Sequence, residues 1–164
     1  MKLFRNILLV VLALSLVLLD VSFFVNFEVN GATFLSSFCV LVVLALVDNS
    51  KKYYIFSLAL VLFFSLFTSL PLLVIALNFF LLPAFLNFIR LKFFPEPTPF
   101  TSLFYFISIS VVFEIIIMIY SGSWNSQALL ALLYFVLINS AAGVFLFTMY
   151  RIIKKRFLLG EIKI

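Results

Sequence analysis

The 37 residues from Tyr53 to Ile89 include no charged side chain. As one helix they would extend about 55 Å at a rise of 1.5 Å per residue, well beyond the hydrocarbon core of a bilayer at about 30 Å. The stretch must fold back on itself, and its central turn signal is Thr68-Ser69-Leu70-Pro71. Proline suits the first turn of a helix and breaks an interior one. The spacing therefore predicts one span over 53–70 and another over 71–89, with Pro83 kinking the second.

The remaining chain can be parsed the same way. Lys2 and Arg5 precede an apolar run with no small-x-small cleavage site after it, so 7–25 reads as an uncleaved first span. Spans over 31–47, 100–120 and 128–150 complete a set of six. Between them lie a polar loop at Asp48-Asn49-Ser50-Lys51-Lys52, a loop from Arg90 to Pro99 stiffened by three prolines, and a loop from Ser121 to Gln127 with Trp124 as interface anchor. A basic tail over 151–164 follows the last span without a spacer. Its Arg151, Lys154, Lys155 and Arg156 are placed to meet anionic headgroups. Charged residues make up 10% of the chain, against roughly 25% in a soluble domain. The expected fold class is all-α: a polytopic integral membrane bundle of six transmembrane helices, one domain over 1–164. With the N-terminus in the cytoplasm, all 11 Lys and Arg fall inside, and joining spans three and four would export Arg90 and Lys92. Lys/Arg bias sets orientation, so both ends are expected to be cytoplasmic.

Several function classes drop out. There is no His, and the one Cys is Cys39 in an apolar run, so no zinc set or internal disulfide is expected. With four Gly in all, no Gly-rich phosphate loop occurs, and no cofactor is expected. The net charge of +5 sits beside apolar runs, the pattern of a membrane protein and not of a nucleic-acid face. The 24 Phe read mainly as compositional bias. No nucleophile–base pair is visible, and no catalytic residue is assigned. Asp20 and Glu114 could in principle share a proton, but nothing in the sequence brings them within reach, and the chain reads as a non-enzyme.

Ionisable groups in a span cost about 2.5–3.5 kcal/mol at the helix centre. Counting along the spans puts Asp20, Ser65, Thr68, Asn78 and Glu114 all in the outer half of the bilayer. Such groups serve either as hydrogen-bonding glue between helices or as a functional cluster, since intramembrane carboxylates face a bundle interior or cavity. Both roles stay open for Glu114, which has Ser110 one turn before it and Ser121 two turns after it. Asn139, Ser140 and Gly143 form a second cluster in span six. There a small residue would let another backbone approach and Asn could bond across, within the chain or between two copies.

Taken together, size, six short spans and both ends inside resemble the MreD-type rod shape-determining membrane proteins. The Asp20-Val21-Ser22-Phe23-Phe24 close of span one is similar to the family's polar-x-Ser ending, where Gln is more usual. The stretch from Phe56 to Leu72, ending Thr68-Ser69-Leu70-Pro71-Leu72, resembles the family's third span and Pro-Leu turn, with Ser57 and Ser65 where the family tends to have Gly and an acid. Gly31-Ala32 replaces the usual Pro-Asp before span two. The resemblance implies a scaffold of the cell-wall elongation machinery in the bacterial inner membrane, docking a single-span MreC-type partner and other elongation-complex proteins. Two alternatives share the layout: the small-molecule-binding membrane subunit of a vitamin-type importer, and a small carrier or flippase with Glu114 in its pathway. Against the importer, span one has only Ala13 where an Ala-x-x-x-Ala coupling face would be needed.

Overall fold

A computed structural model describes residues 2–47, 52–93 and 96–158. Most of the expected polar loop (Asp48 to Lys51), Pro95, and the tail after Leu158 with its Lys163 lie outside the described residues. Among the described residues the chain forms six helical rods: α1 (Lys2–Ser22), α2 (Ser36–Val47), α3 (Lys52–Phe67), α4 (Leu72–Phe93), α5 (Pro99–Ser121) and α6 (Ser126–Leu158). Four of them, α1, α4, α5 and α6, are long and apolar enough to cross a membrane; α2 and α3 are shorter apolar helices. The protein is an all-α helical membrane bundle.

The rod ends follow local chemistry. The chain leaves helix at Thr68, and α4 begins just after Pro71, whose carbonyl accepts the Ile75 N–H at 3.2 Å. Thr98 and Thr101 form a reciprocal capping box at the start of α5, with Pro99 as its first residue. Gly122 ends α5 in the left-handed region at φ 65°, and the Asn125 side chain accepts the Ala128 N–H at 2.8 Å to open α6.

The second rod departs from expectation. It begins at Ser36 and not at Gly31, because Asn30 and Gly31 form a tight turn. Their φ values are 51° and 85°. Val29 and Ala32 exchange hydrogen bonds of 2.9 and 3.0 Å across it. Two successive positive-φ residues of the Asn-Gly type are the signature of a type I′ turn. What remains of span two is a 12-residue helix, about 18 Å long at helical rise. Nine of its residues are buried. It packs against α1, α3, α4 and α6, so it sits in the middle of the bundle and meets protein on nearly every side. That placement explains how a rod too short for the hydrocarbon core is stable: irregular backbone at membrane depth is tolerated where protein surrounds it.

Pro83 leaves α4 with a missing donor. The helix widens into a π turn over Leu77–Leu81 just before it, with Leu82 N–H bonding back to Leu77 O. Proline has no N–H to give the carbonyl four residues earlier, which is that of Phe79. The Ser57 hydroxyl of α3 donates to Phe79 O instead. The phenylalanines also have a structural use beyond bulk apolarity. Phe64 stacks on Phe79 at 4.5 Å, Phe79 meets Phe113 edge-on at 5.5 Å, Phe113 stacks on Phe135 at 5.3 Å, and Phe38 meets Phe113 at 4.9 Å. This ladder ties α2 through α6 together with the geometry that ring quadrupoles favour.

Orientation is open to direct measurement. Reporter fusions after Asn49 and after Pro97 are expected to read cytoplasm, and fusions after Asn30 and Asn125 the outside, because Lys and Arg collect on one side. An outside reading at Pro97 would contradict the turn at Pro71.

Candidate functional site

The polar chemistry of the bundle gathers around the two ends of α2. At its N-terminus the Asp20 carboxylate, 4% exposed, reaches over from α1. One oxygen accepts the Ser36 N–H at 2.8 Å and the Ser36 hydroxyl at 2.6 Å. The other accepts the Ser37 N–H at 3.0 Å and the Ser37 hydroxyl. A carboxylate offers about four lone-pair sites, and all four are used here. At the C-terminus Arg90, 1% exposed, donates from α4 to Leu46 O. A buried helix thus carries an anion at its positive end and a cation at its negative end, each matched to the macrodipole and each lent by another helix.

Asn139 completes the entry to α2. Its side-chain carbonyl accepts the Leu35 N–H at 2.9 Å, and its amide donates to Thr33 O at 3.2 Å and to Phe135 O at 3.0 Å. Two polar groups of the non-helical backbone before Ser36, Leu35 N–H and Thr33 O, are therefore satisfied from α6, in keeping with what a chain buried in a membrane requires. Ser140 is buried beside it. Gly143 fits against a ring and not against a backbone: a Cβ there would lie 2.1 Å from Cε1 of Phe106 on α5. Of the cluster expected in span six, Asn139 and Gly143 make contacts within the chain.

The five outer-half residues do not form one site. Asp20, Thr68 and Asn78 line a cavity of about 260 Å³, floored by Phe64, Phe79 and Phe113. Asn78 is 2% exposed, and its side-chain oxygen has no hydrogen-bond partner among the described residues. The Thr68 and Ser65 hydroxyls instead donate to carbonyls of their own helix, Phe64 O and Leu62 O, both at 2.7 Å. Ser65 and Glu114 are not part of the cavity wall. Glu114 is partly buried on α5, and its carboxylate has no hydrogen-bond or ion-pair partner among the described residues.

At the opposite end of the bundle, α6 runs unbroken through the basic segment to Leu158. Arg151, Lys154 and Lys155 line a second cavity together with Arg90, whereas Arg156 does not.

Sequence reasoning missed Ser36, Ser37 and the burial of Arg90. The first two carry a readable signal, since serine immediately before an apolar run is an N-cap signature. Arg90 resembles any flanking cation, and only packing reveals that it turns inward. No protein-family model, curated protein or solved structure matches this chain.

Proposed function

We propose that the chain is a membrane scaffold of the bacterial cell-wall elongation machinery, seated in the inner membrane and contributing to cell shape by docking partner membrane proteins, a single-span MreC-type protein among them. The layout that resembles MreD-type proteins supports this reading, and Glu114 carries it. A carboxylate placed in a span and left partly exposed, without a partner among the described residues, is costly in lipid. A transmembrane helix that brings a hydrogen-bond donor to that carboxylate removes the cost. Asp20, the other intramembrane acid, has all its acceptor capacity taken up by α2, which suits a rigid docking platform better than a moving proton or cation.

The small-molecule-binding reading has one observation in its favour, the unpartnered Asn78 oxygen in the cavity beside Asp20. That cavity is about 260 Å³, below the roughly 300–1,000 Å³ of most ligand pockets, so the scaffold reading stands first.

The test places a photo-crosslinker at Ile107, two turns from Glu114 on the same face of α5. Glu114→Gln keeps a donor and an acceptor. It is expected to keep a crosslink to a single-span partner and to complement cell shape. Glu114→Leu is expected to lose both at normal abundance. A Gln variant that is abundant, still crosslinks and yet fails to complement would overturn the scaffold in favour of proton- or cation-linked transport.

A further inference from the structure

Helix α6 has 33 residues, about 50 Å at helical rise, so its last turns must leave a hydrocarbon core of about 30 Å. Arg151 lies 25 residues beyond Ser126, roughly 38 Å along the axis, which sets the basic turn at headgroup level. Against this turn is a cavity of about 420 Å³, formed between the end of α2, Arg90 of α4, the segment Glu96–Pro97 and α6. Among the described residues four cations line it, Arg90, Arg151, Lys154 and Lys155, against one carboxylate, Glu96. Two of the cations are held in place. Arg90 is buried and donates to Leu46 O. Arg151 donates to Pro97 O at 3.3 Å and lies over the Phe147 ring at 5.9 Å. Lys154 and Lys155 are exposed above them and supply mobile charge at the mouth.

We propose that this cavity binds a phosphate anion, and that at this depth the phosphate is the headgroup of an anionic lipid. Fixed guanidinium groups suit phosphate oxygens through charge-assisted hydrogen bonds, and basic pockets between helices at the membrane surface recognise anionic headgroups. A tail that only attracts the surface would treat its basic residues alike. A cavity distinguishes those that line it from Arg156, which does not. The inference stands whether or not the scaffold reading does.

The full chain in neutral detergent is titrated with phosphatidylglycerol and, in a separate arm, with inorganic phosphate, and native mass spectrometry reads the bound fraction. One phosphatidylglycerol per chain is expected to persist. Lys154→Ala and Lys155→Ala are each expected to weaken it roughly fivefold, the equivalent of about 1 kcal/mol per basic residue near a membrane surface, while Arg156→Ala leaves it unchanged. Saturable binding of inorganic phosphate with the same variant pattern, and no retained lipid, supports the phosphate site but assigns it to a soluble anion. Equal weakening by all three variants, or binding of neither ligand, overturns the proposal.

Discussion

Asp20→Ala is expected to lower the unfolding free energy by about 4 kcal/mol, taking the two amides it strands at roughly 1–3 kcal/mol each. The Ser36 and Ser37 N–H groups open α2 in a buried setting, and both end on the Asp20 carboxylate. No solvent replaces that acceptor, because Ser36 and Ser37 are themselves buried. The loss of the anion from the N-terminus of α2 adds to the effect. Asp20→Asn keeps one acceptor oxygen and is expected to lose about half as much, since one of the two stranded amides stays bonded. Ser36→Ala with Ser37→Ala keeps the backbone bonds and removes only the hydroxyls, so it should cost less than Asp20→Ala. The triple variant tests coupling: if the carboxylate and hydroxyls act as one cap, the separate losses exceed the combined one. Unfolding in detergent, followed by circular dichroism against denaturant, reads all four variants. A loss below about 1 kcal/mol for Asp20→Ala, the value of an ordinary exposed N-cap, would mean that Asp20 does not hold α2.

The shared level of Asp20, Thr68 and Asn78, which line one cavity, was legible in the sequence, and azimuth was not. Counting residues along a helix fixes how far a side chain lies from the membrane surface, and it set Asp20, Thr68, Asn78 and Glu114 at similar levels. Which way each one points depends on how its helix packs. Asp20 turns inward to Ser36, Asn78 faces the cavity, and Glu114 is partly buried outside the cavity wall. The turn at Pro71 could be read because an uncharged run of this length has to fold back, whereas the late start of α2 was hidden in an Asn-Gly pair inside an apolar context. Asn139 bonds to Leu35 across 104 positions, and no local pattern announces a contact of that separation. The same holds for Ser57 and Phe79: Pro83 shows that a carbonyl will be orphaned, but not which hydroxyl answers it. The phenylalanines are the clearest case. Their number resembled bias, and only the ring geometry shows that five of them link five helices.

Gly143→Leu is expected to be nearly as damaging as the loss of Asp20, and the chemistry of the contact explains why. A Cβ at Gly143 would fall 2.1 Å from Cε1, 2.3 Å from Cδ1 and 2.5 Å from Cζ of Phe106. The ring is fully buried, so it has little room to rotate away, and α5 and α6 must separate. Overpacking a tight core costs about 1–3 kcal/mol for extra methylenes, and a whole isobutyl group belongs at or above the top of that range. Gly143→Ala gains about 1 kcal/mol in helix propensity and should lose less. The decisive variant pairs the change with its neighbour. Phe106→Ala alone leaves a cavity worth about 3–5 kcal/mol, yet Phe106→Ala with Gly143→Leu should be more stable than either single variant, because the new side chain fills the space the ring vacates. Purely additive losses would place the Gly143 contact elsewhere, and a change in oligomeric state by analytical ultracentrifugation, with monomer stability untouched, would assign Gly143 to association between copies of the chain. The 2.1 Å separation within one chain makes rescue by Phe106→Ala the expected result.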